Sequence, residues 1–278
     1  MSNPYQQQIQ RMVWSFSRLN SYDTCPYGWK LHYLDHTEQV GSGFADWGSL
    51  CHSVFEDYEK GALADFELLD AYEARYPEYM HNDFPPCRGT PLADRYYERG
   101  RELFASFSGF PENWEILGVE LKVEFEVNGR KFVGFIDLLV RDQHDGKLIV
   151  VDHKSKSEFK TEEEKAHYAL QLYLYAYWVF LHYEEYPKEL IFDMFRVGYM
   201  VHIPFEKSDM DLALTWFQDT VDRILCDEDF WDKIAIAYDA SNKPLADFQR
   251  NDFFCNYLCG SRTSCDRSLY KIGEEFTA

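Results

Sequence analysis

Glu120, Asp137, Asp152 and Lys154 stand in three runs, EILGVELKVEFEV (115–127), RKFVGFIDLLVR (130–141) and KLIVVDHK (147–154), that otherwise read as β-strands. Asn128-Gly129 is a strong two-residue hairpin signal, and a loop of that length sets Glu120 opposite Asp137. A four-residue turn over 143–146 sets Asp137 opposite Asp152. Directly opposed residues share a face, with Cβ atoms about 5 Å apart, and Lys154, two positions beyond Asp152, points the same way. Three acids and a lysine thus converge beside Val133, Phe135, Leu139, Leu148 and Val150. Carboxylates this crowded raise one another's pKa unless a cation sits among them. A hard divalent ion such as Mg²⁺ or Mn²⁺, held by carboxylate oxygens with room for water and phosphate, is the expected partner. A lysine beside it can orient water or stabilise charge on a phosphoryl oxygen.

A second group is Cys255, Cys259 and Cys265, spaced C-x3-C-x5-C within eleven residues. Thiolates so grouped bind zinc or an iron–sulfur cluster, and Cys25 fits as the fourth ligand. Cys51, Cys87 and Cys226 have no such grouping and read as core or surface thiols. Two helical pairs, His52 with Glu56 and Gln171 with Tyr175, lie one turn apart at i, i+4, so each pair can project to one side.

The elements that must position these groups follow from periodicity. Residues 15–36 read as helix interrupted near Cys25-Pro26. From Asp46, the apolar stripe Trp47, Leu50, Cys51, Val54, Phe55, Tyr58 marks a helix ended by Gly61. Helical stretches over 62–76 and 92–108 flank a loop carrying Pro85, Pro86, Gly89 and Pro91. After the antiparallel meander come a helix over 162–183, a strand over 190–203, a helix over 207–235 and an irregular cysteine-bearing tail. The expectation is one α/β (mixed α+β) domain over 1–278, with a central mixed sheet at 115–203, a helical insertion at 61–114 and a cysteine-stapled tail.

The run GFIDLLVRDQHDGKLIVVDHKSKS resembles the core of the PD-(D/E)XK nuclease superfamily, with an Asp late in one strand and Asp-x-Lys closing the next. WGSLCHSVFE resembles the G-x-x-x-H-x-x-x-E helix of its RecB-like and Cas4-like branch, QLYLY its Gln-x-x-x-Tyr motif, and FSRLNSYDTCPYGWKLHYL its opening. The resemblance implies a restriction-endonuclease-like core and a metal-dependent DNA nuclease, an exonuclease on ends or single strands. Residue by residue it implies His52, Asp137 and Asp152 as metal ligands with the His153 backbone carbonyl and, less directly, Glu56. It implies Lys154 as the catalytic lysine, Glu120 as an acidic partner, and Gln171 and Tyr175 in supporting roles. Cys25, Cys255, Cys259 and Cys265 look like the [4Fe–4S] staple of Cas4 and AddB-type nucleases, although three residues rather than two separate Cys255 from Cys259, which keeps zinc as the alternative.

With 28 Lys+Arg against 48 Asp+Glu, the net charge of −20 argues against general anion binding. Lys154, Lys156, Lys160, Arg262, Arg267 and Lys271 are the local charges available to a polyanion. Weak intrinsic affinity suits a nuclease handed DNA by a helicase, recombination or integrase-like partner. The rival is a catalytically idle acidic iron–sulfur protein that binds or inhibits a DNA-processing complex. MSNPYQQQIQRMVWSF lacks a basic, then apolar, leader pattern and no run is long enough to span a membrane, so a cytoplasmic protein is expected.

Overall fold

The computed structural model describes residues 3–227 and 253–265. Helices α1 (Gln6–Gln10), α2 (Phe16–Thr24) and α3 (Pro26–Tyr33) come first. The break between α2 and α3 falls at Cys25, whose extended backbone ends one helix and caps the next while Pro26 takes the first helical turn, where its missing N–H costs nothing. Helix α4 (Gly43–Glu59) starts on Ser42, whose side chain accepts from the Ala45 N–H. Its apolar stripe packs against α5 (Leu68–Tyr79) and α6 (Leu92–Ser106), giving a core of Trp47, Leu50, Phe55, Tyr72 and Phe104.

Five strands follow in spatial order β1 (Trp114–Val127), β2 (Arg130–Asp142), β3 (Leu148–His153), β4 (Glu189–Met194), β5 (Tyr199–Pro204). Asn128 and Gly129 both take positive φ, 51° and 77°, as a twisted two-residue hairpin requires. The register is the one that loop dictates, with Val119 opposite Leu138 and Leu121 opposite Ile136. Across the next turn Leu138 faces Val151. Helix α7 (Glu162–Tyr183), capped by Thr161 with three glutamates in its first turn, crosses over so that β4 runs parallel to β3. The expected single strand over 190–203 is instead a hairpin, β4 and β5, turned over 195–198 at Gly198. Helix α8 (Lys207–Cys226) covers α7; the sequence expectation of helix to residue 235 runs past Asp227, outside the described residues.

The result is a mixed five-stranded sheet flanked by helices, consistent with a restriction-endonuclease-like fold. Leu139, Leu148, Val150 and Phe192 pack under α7 and α8 with Leu172 and Phe217. Leu138, Val140, Ile149, Val151 and Ile191 form the opposite layer with Phe110. Among the described residues no helix is long and apolar enough to cross a membrane.

Candidate active site

Strand alternation breaks at the two acids of the first hairpin. Val119 packs into the Phe110 layer while Leu121 packs under α7, and Leu138 and Ile136 make the same exchange opposite them. The residue between each pair is an acid, Glu120 or Asp137, and Glu120 is held at φ +48°, a conformation that costs a non-glycine residue energy and recurs at functional sites. The break turns both carboxylates toward α4. One ligand atom each from His52, Glu120 and Asp137 lies within 4.8 Å of the others.

Burial acts on the imidazole and on the carboxyls in opposite senses. Burial, with the positive charges of His153 and Lys154 nearby, pushes His52 down to about 3, so its imidazole is neutral and has a lone pair to give. Burial and the charge of Asp152 raise the Asp137 carboxyl, and burial with Glu56 and Glu59 raises Glu120. Oδ2 of Asp152 is buried and lies 2.6 Å from Lys154 Nζ, yet no donor is aligned to hydrogen-bond it. A buried carboxylate oxygen without a hydrogen bond is one that a bound cation would satisfy. The His153 main chain lies between both sides: its N–H donates to Asp137 Oδ2 at 2.6 Å, and its backbone lies against the His52 ring.

Lys154 is aimed by a relay from α7. Its Nζ donates to Gln171 Oε1 at 3.0 Å, and Gln171 Nε2 donates to the Tyr175 hydroxyl at 2.9 Å. The Tyr175 ring lies so close to β2 that a Cβ on Gly134 would stand 2.6 Å from it. Glycine is therefore what lets the relay close over the strand.

The PD-(D/E)XK nuclease superfamily profile matches residues 13–266, from the opening helices to the last cysteine. The chain belongs to the PD-(D/E)XK nuclease superfamily. Its members are metal-dependent nucleases that as a rule use Mg²⁺ or Mn²⁺, and the oxygen-rich donor set with one neutral imidazole fits such an ion. Among solved structures, one titled "Crystal structure of SSO0001" aligns at 15% identity over 91% of this chain and 94% of that one, with a TM-score of 0.32. No curated protein matches the sequence.

Within this PD-(D/E)XK protein, the structure brings together His52, Glu120, Asp137, Asp152, Lys154, Gln171 and Tyr175. Glu56 is one turn along from His52 and is engaged by Lys60. Sequence reading missed the layer behind the site. The His153 imidazole, buried on the opposite face, donates from Nε2 to Glu59 at 2.6 Å and pairs through Nδ1 with Asp193 at 2.8 Å. It stacks between Phe55 and Phe110 at 5.3 and 5.8 Å. The two carboxylates hold it protonated well above its ordinary range, against the opposing effect of burial. Two signals were available: Glu59 follows Phe55 by one helical turn on the apolar stripe, and Asp193 is a lone acid inside the strand run LIFDMF.

Beyond the N-terminal end of α4, Cys25 is near enough to Cys255, Cys259 and Cys265 for all three to act on it; burial and these thiols push it up to about 11. The cysteine segment is tied to the loop before α4: Val40 N–H donates to Gly260, and Arg262 donates to the Val40 and Gly41 carbonyls at 2.8 and 2.6 Å. Of the lysines and arginines expected to meet a polyanion, Lys156 is paired with Glu164, while Arg267 and Lys271 lie outside the described residues.

Proposed function

We propose that this chain is a deoxyribonuclease of the RecB/Cas4-like type, acting as an exonuclease on DNA ends or single strands, and that it hydrolyses phosphodiester bonds at the His52–Glu120–Asp137–Asp152 centre. The observation that carries the reading is the meeting of His52, Glu120 and Asp137 within 4.8 Å beside the Asp152–Lys154 pair. Asp137, Asp152 and His52, with Glu120 and the His153 carbonyl, hold the divalent ion. That ion supplies positive charge to the phosphoryl oxygens and acidity to an attacking water. Lys154, pinned by Gln171 and Tyr175, presents its ammonium to the charge that develops on the phosphoryl group. Tyr175 stays a neutral hydroxyl because burial and the nearby acids raise its pKa.

Cys25, Cys255, Cys259 and Cys265 hold a [4Fe–4S] cluster, with zinc as the other occupant that four thiols would accept. The approach of the three tail cysteines to Cys25 is what supports a metal group there. Its role is structural, holding the tail against α3 and the loop before α4. With a net charge of −20, the enzyme receives DNA from a helicase, recombination or integrase-like partner rather than by its own long-range attraction.

The test is hydrolysis of end-labelled single-stranded DNA, duplex DNA and RNA with Mn²⁺, Mg²⁺ or EDTA, using wild type, Asp152→Ala and Lys154→Ala. Metal-dependent loss of DNA in wild type alone supports the proposal. Equal cleavage by all three proteins, or cleavage in EDTA, contradicts it.

A further inference from the structure

A cleft of about 430 Å³ opens between α6 and the β4–β5 turn, lined by Arg95, Tyr96, Glu98, Arg99, Glu102 and Arg196. In a chain with twenty more acids than bases, its charge runs the other way. Both glutamates are already engaged, Glu98 by Arg101 at 3.1 Å and Glu102 by Arg99 at 3.0 Å. Among the described residues Arg95 and Arg196 have no carboxylate partner. Arg196 instead spreads over the Tyr96 ring at 4.7 Å, and its carbonyl accepts from Arg99 Nε, so side chain and turn are both held in place. A guanidinium fixed on an aromatic face keeps its outer N–H groups free to grip two oxygens of a phosphate.

The cleft is built onto the catalytic helix. Tyr96 packs edge-on against Trp47 of α4 at 5.0 Å. Phe195, the residue before Arg196, meets both Trp47 at 5.9 Å and the His52 ring at 5.7 Å. One residue step, about 3.8 Å between Cα atoms, therefore separates a buried ring packed on His52 from the first cleft arginine.

We infer that this cleft binds backbone phosphates of the nucleic-acid strand beyond the scissile bond, with Arg95 and Arg196 as the contacts. The inference rests on the nuclease reading and gives its polyanion a docking site that the overall charge does not. It also explains how an acidic enzyme could select a strand over a small phosphate ester.

The test pairs two readouts on the full chain. Binding of a fluorescein-labelled oligothymidylate is followed by anisotropy in EDTA across a salt series, for wild type, the double variant Arg95→Gln/Arg196→Gln, and Lys207→Gln as a control for the loss of a surface charge on α8. Hydrolysis of bis(p-nitrophenyl) phosphate with Mn²⁺ reports the metal centre without a strand. The double variant should bind roughly tenfold more weakly, with a salt slope smaller by about 1.4, since each lost phosphate contact on a single strand removes about 0.7. Its Mn²⁺-dependent ester hydrolysis should equal that of wild type, and Lys207→Gln should bind like wild type. Unchanged affinity and slope in the double variant, with wild type binding and hydrolysing, overturns the cleft and leaves the nuclease standing. Displacement of the oligonucleotide by inorganic phosphate at equal phosphate and ionic strength also overturns it, as a simple anion site. A wild type that neither binds nor hydrolyses overturns both readings.

Discussion

Replacing Asp137 by asparagine should stabilise the metal-free protein and abolish its response to metal. Asp137 faces Asp152 and shares its position with Glu120, and burial and like charge raise its carboxyl. The charges of His153 and Lys154 and the His153 N–H at 2.6 Å offset this only in part, and an asparagine Oδ1 can accept the same N–H bond. An uncompensated buried polar group costs about 1–3 kcal/mol, more when charged, so removing the charge with shape kept should return about that much. For a chain of this size each kcal/mol is about 2–4 °C in Tm, which gives a rise of roughly 2–12 °C. The sign depends on pH. Because the native carboxyl titrates higher than the unfolded one, near ~3.9, the native state binds the extra proton above that value and wild-type stability falls as pH rises through the window. The variant's advantage should therefore be absent near about pH 4 and full near about pH 8. Saturating Mn²⁺, at about a hundred times Kd, should add about 2.7 kcal/mol to wild type and almost nothing to Asp137→Asn. Thermal unfolding by circular dichroism at the two pH values, with EDTA or Mn²⁺, reads all four arms. A variant less stable than wild type in EDTA near neutral pH, or stabilised by Mn²⁺ as much as wild type, refutes the reasoning.

Gly134→Ala should drive the Tyr175 ring off β2 at a cost of about 1–3 kcal/mol, seen as a lower urea midpoint, and should slow Mn²⁺-dependent hydrolysis because the Gln171–Lys154 relay loosens. Glu59→Ala strips the buried His153 imidazole of its Nε2 partner and should cost about 3–5 kcal/mol, while Glu59→Gln, which still accepts that bond, should cost clearly less in the same urea titration. Cys25→Ser should empty the cysteine site; elemental analysis of anaerobically purified protein should give about four irons per wild-type chain and close to none in the variant, whereas about one zinc in wild type would replace the cluster by zinc.

The hairpins were readable because their loops contain their own rulers. Asn128-Gly129 and the 143–146 turn each fix a register, and one register places Glu120, Asp137 and Asp152 side by side. The local break in alternation at Glu120 was not readable, since a positive φ at a glutamate has no sequence signature. The β4–β5 hairpin was hidden for a related reason: only Gly198 punctuates FRVG, and β4 is apolar apart from Glu189 at its start and Asp193. Long-range pairings were beyond reach in principle. His153 meets Glu59 across 94 residues, and Arg196 meets Tyr96 across a hundred, joined only by the packing of α4 and α6 against the sheet. The helix stripe that did reveal α4 hid the partner of His153, because Glu59 sits on that stripe as an acid among apolar neighbours.

The most direct test of the metal centre is an anomalous difference map at the manganese edge from crystals of the full chain grown with Mn²⁺. The account predicts a peak with His52 nitrogen and Glu120, Asp137 and Asp152 oxygens at about 2.0–2.3 Å, close to the His153 carbonyl and with Lys154 Nζ drawn away from Asp152. A fully occupied manganese elsewhere, with these side chains unchanged and empty between them, would contradict it.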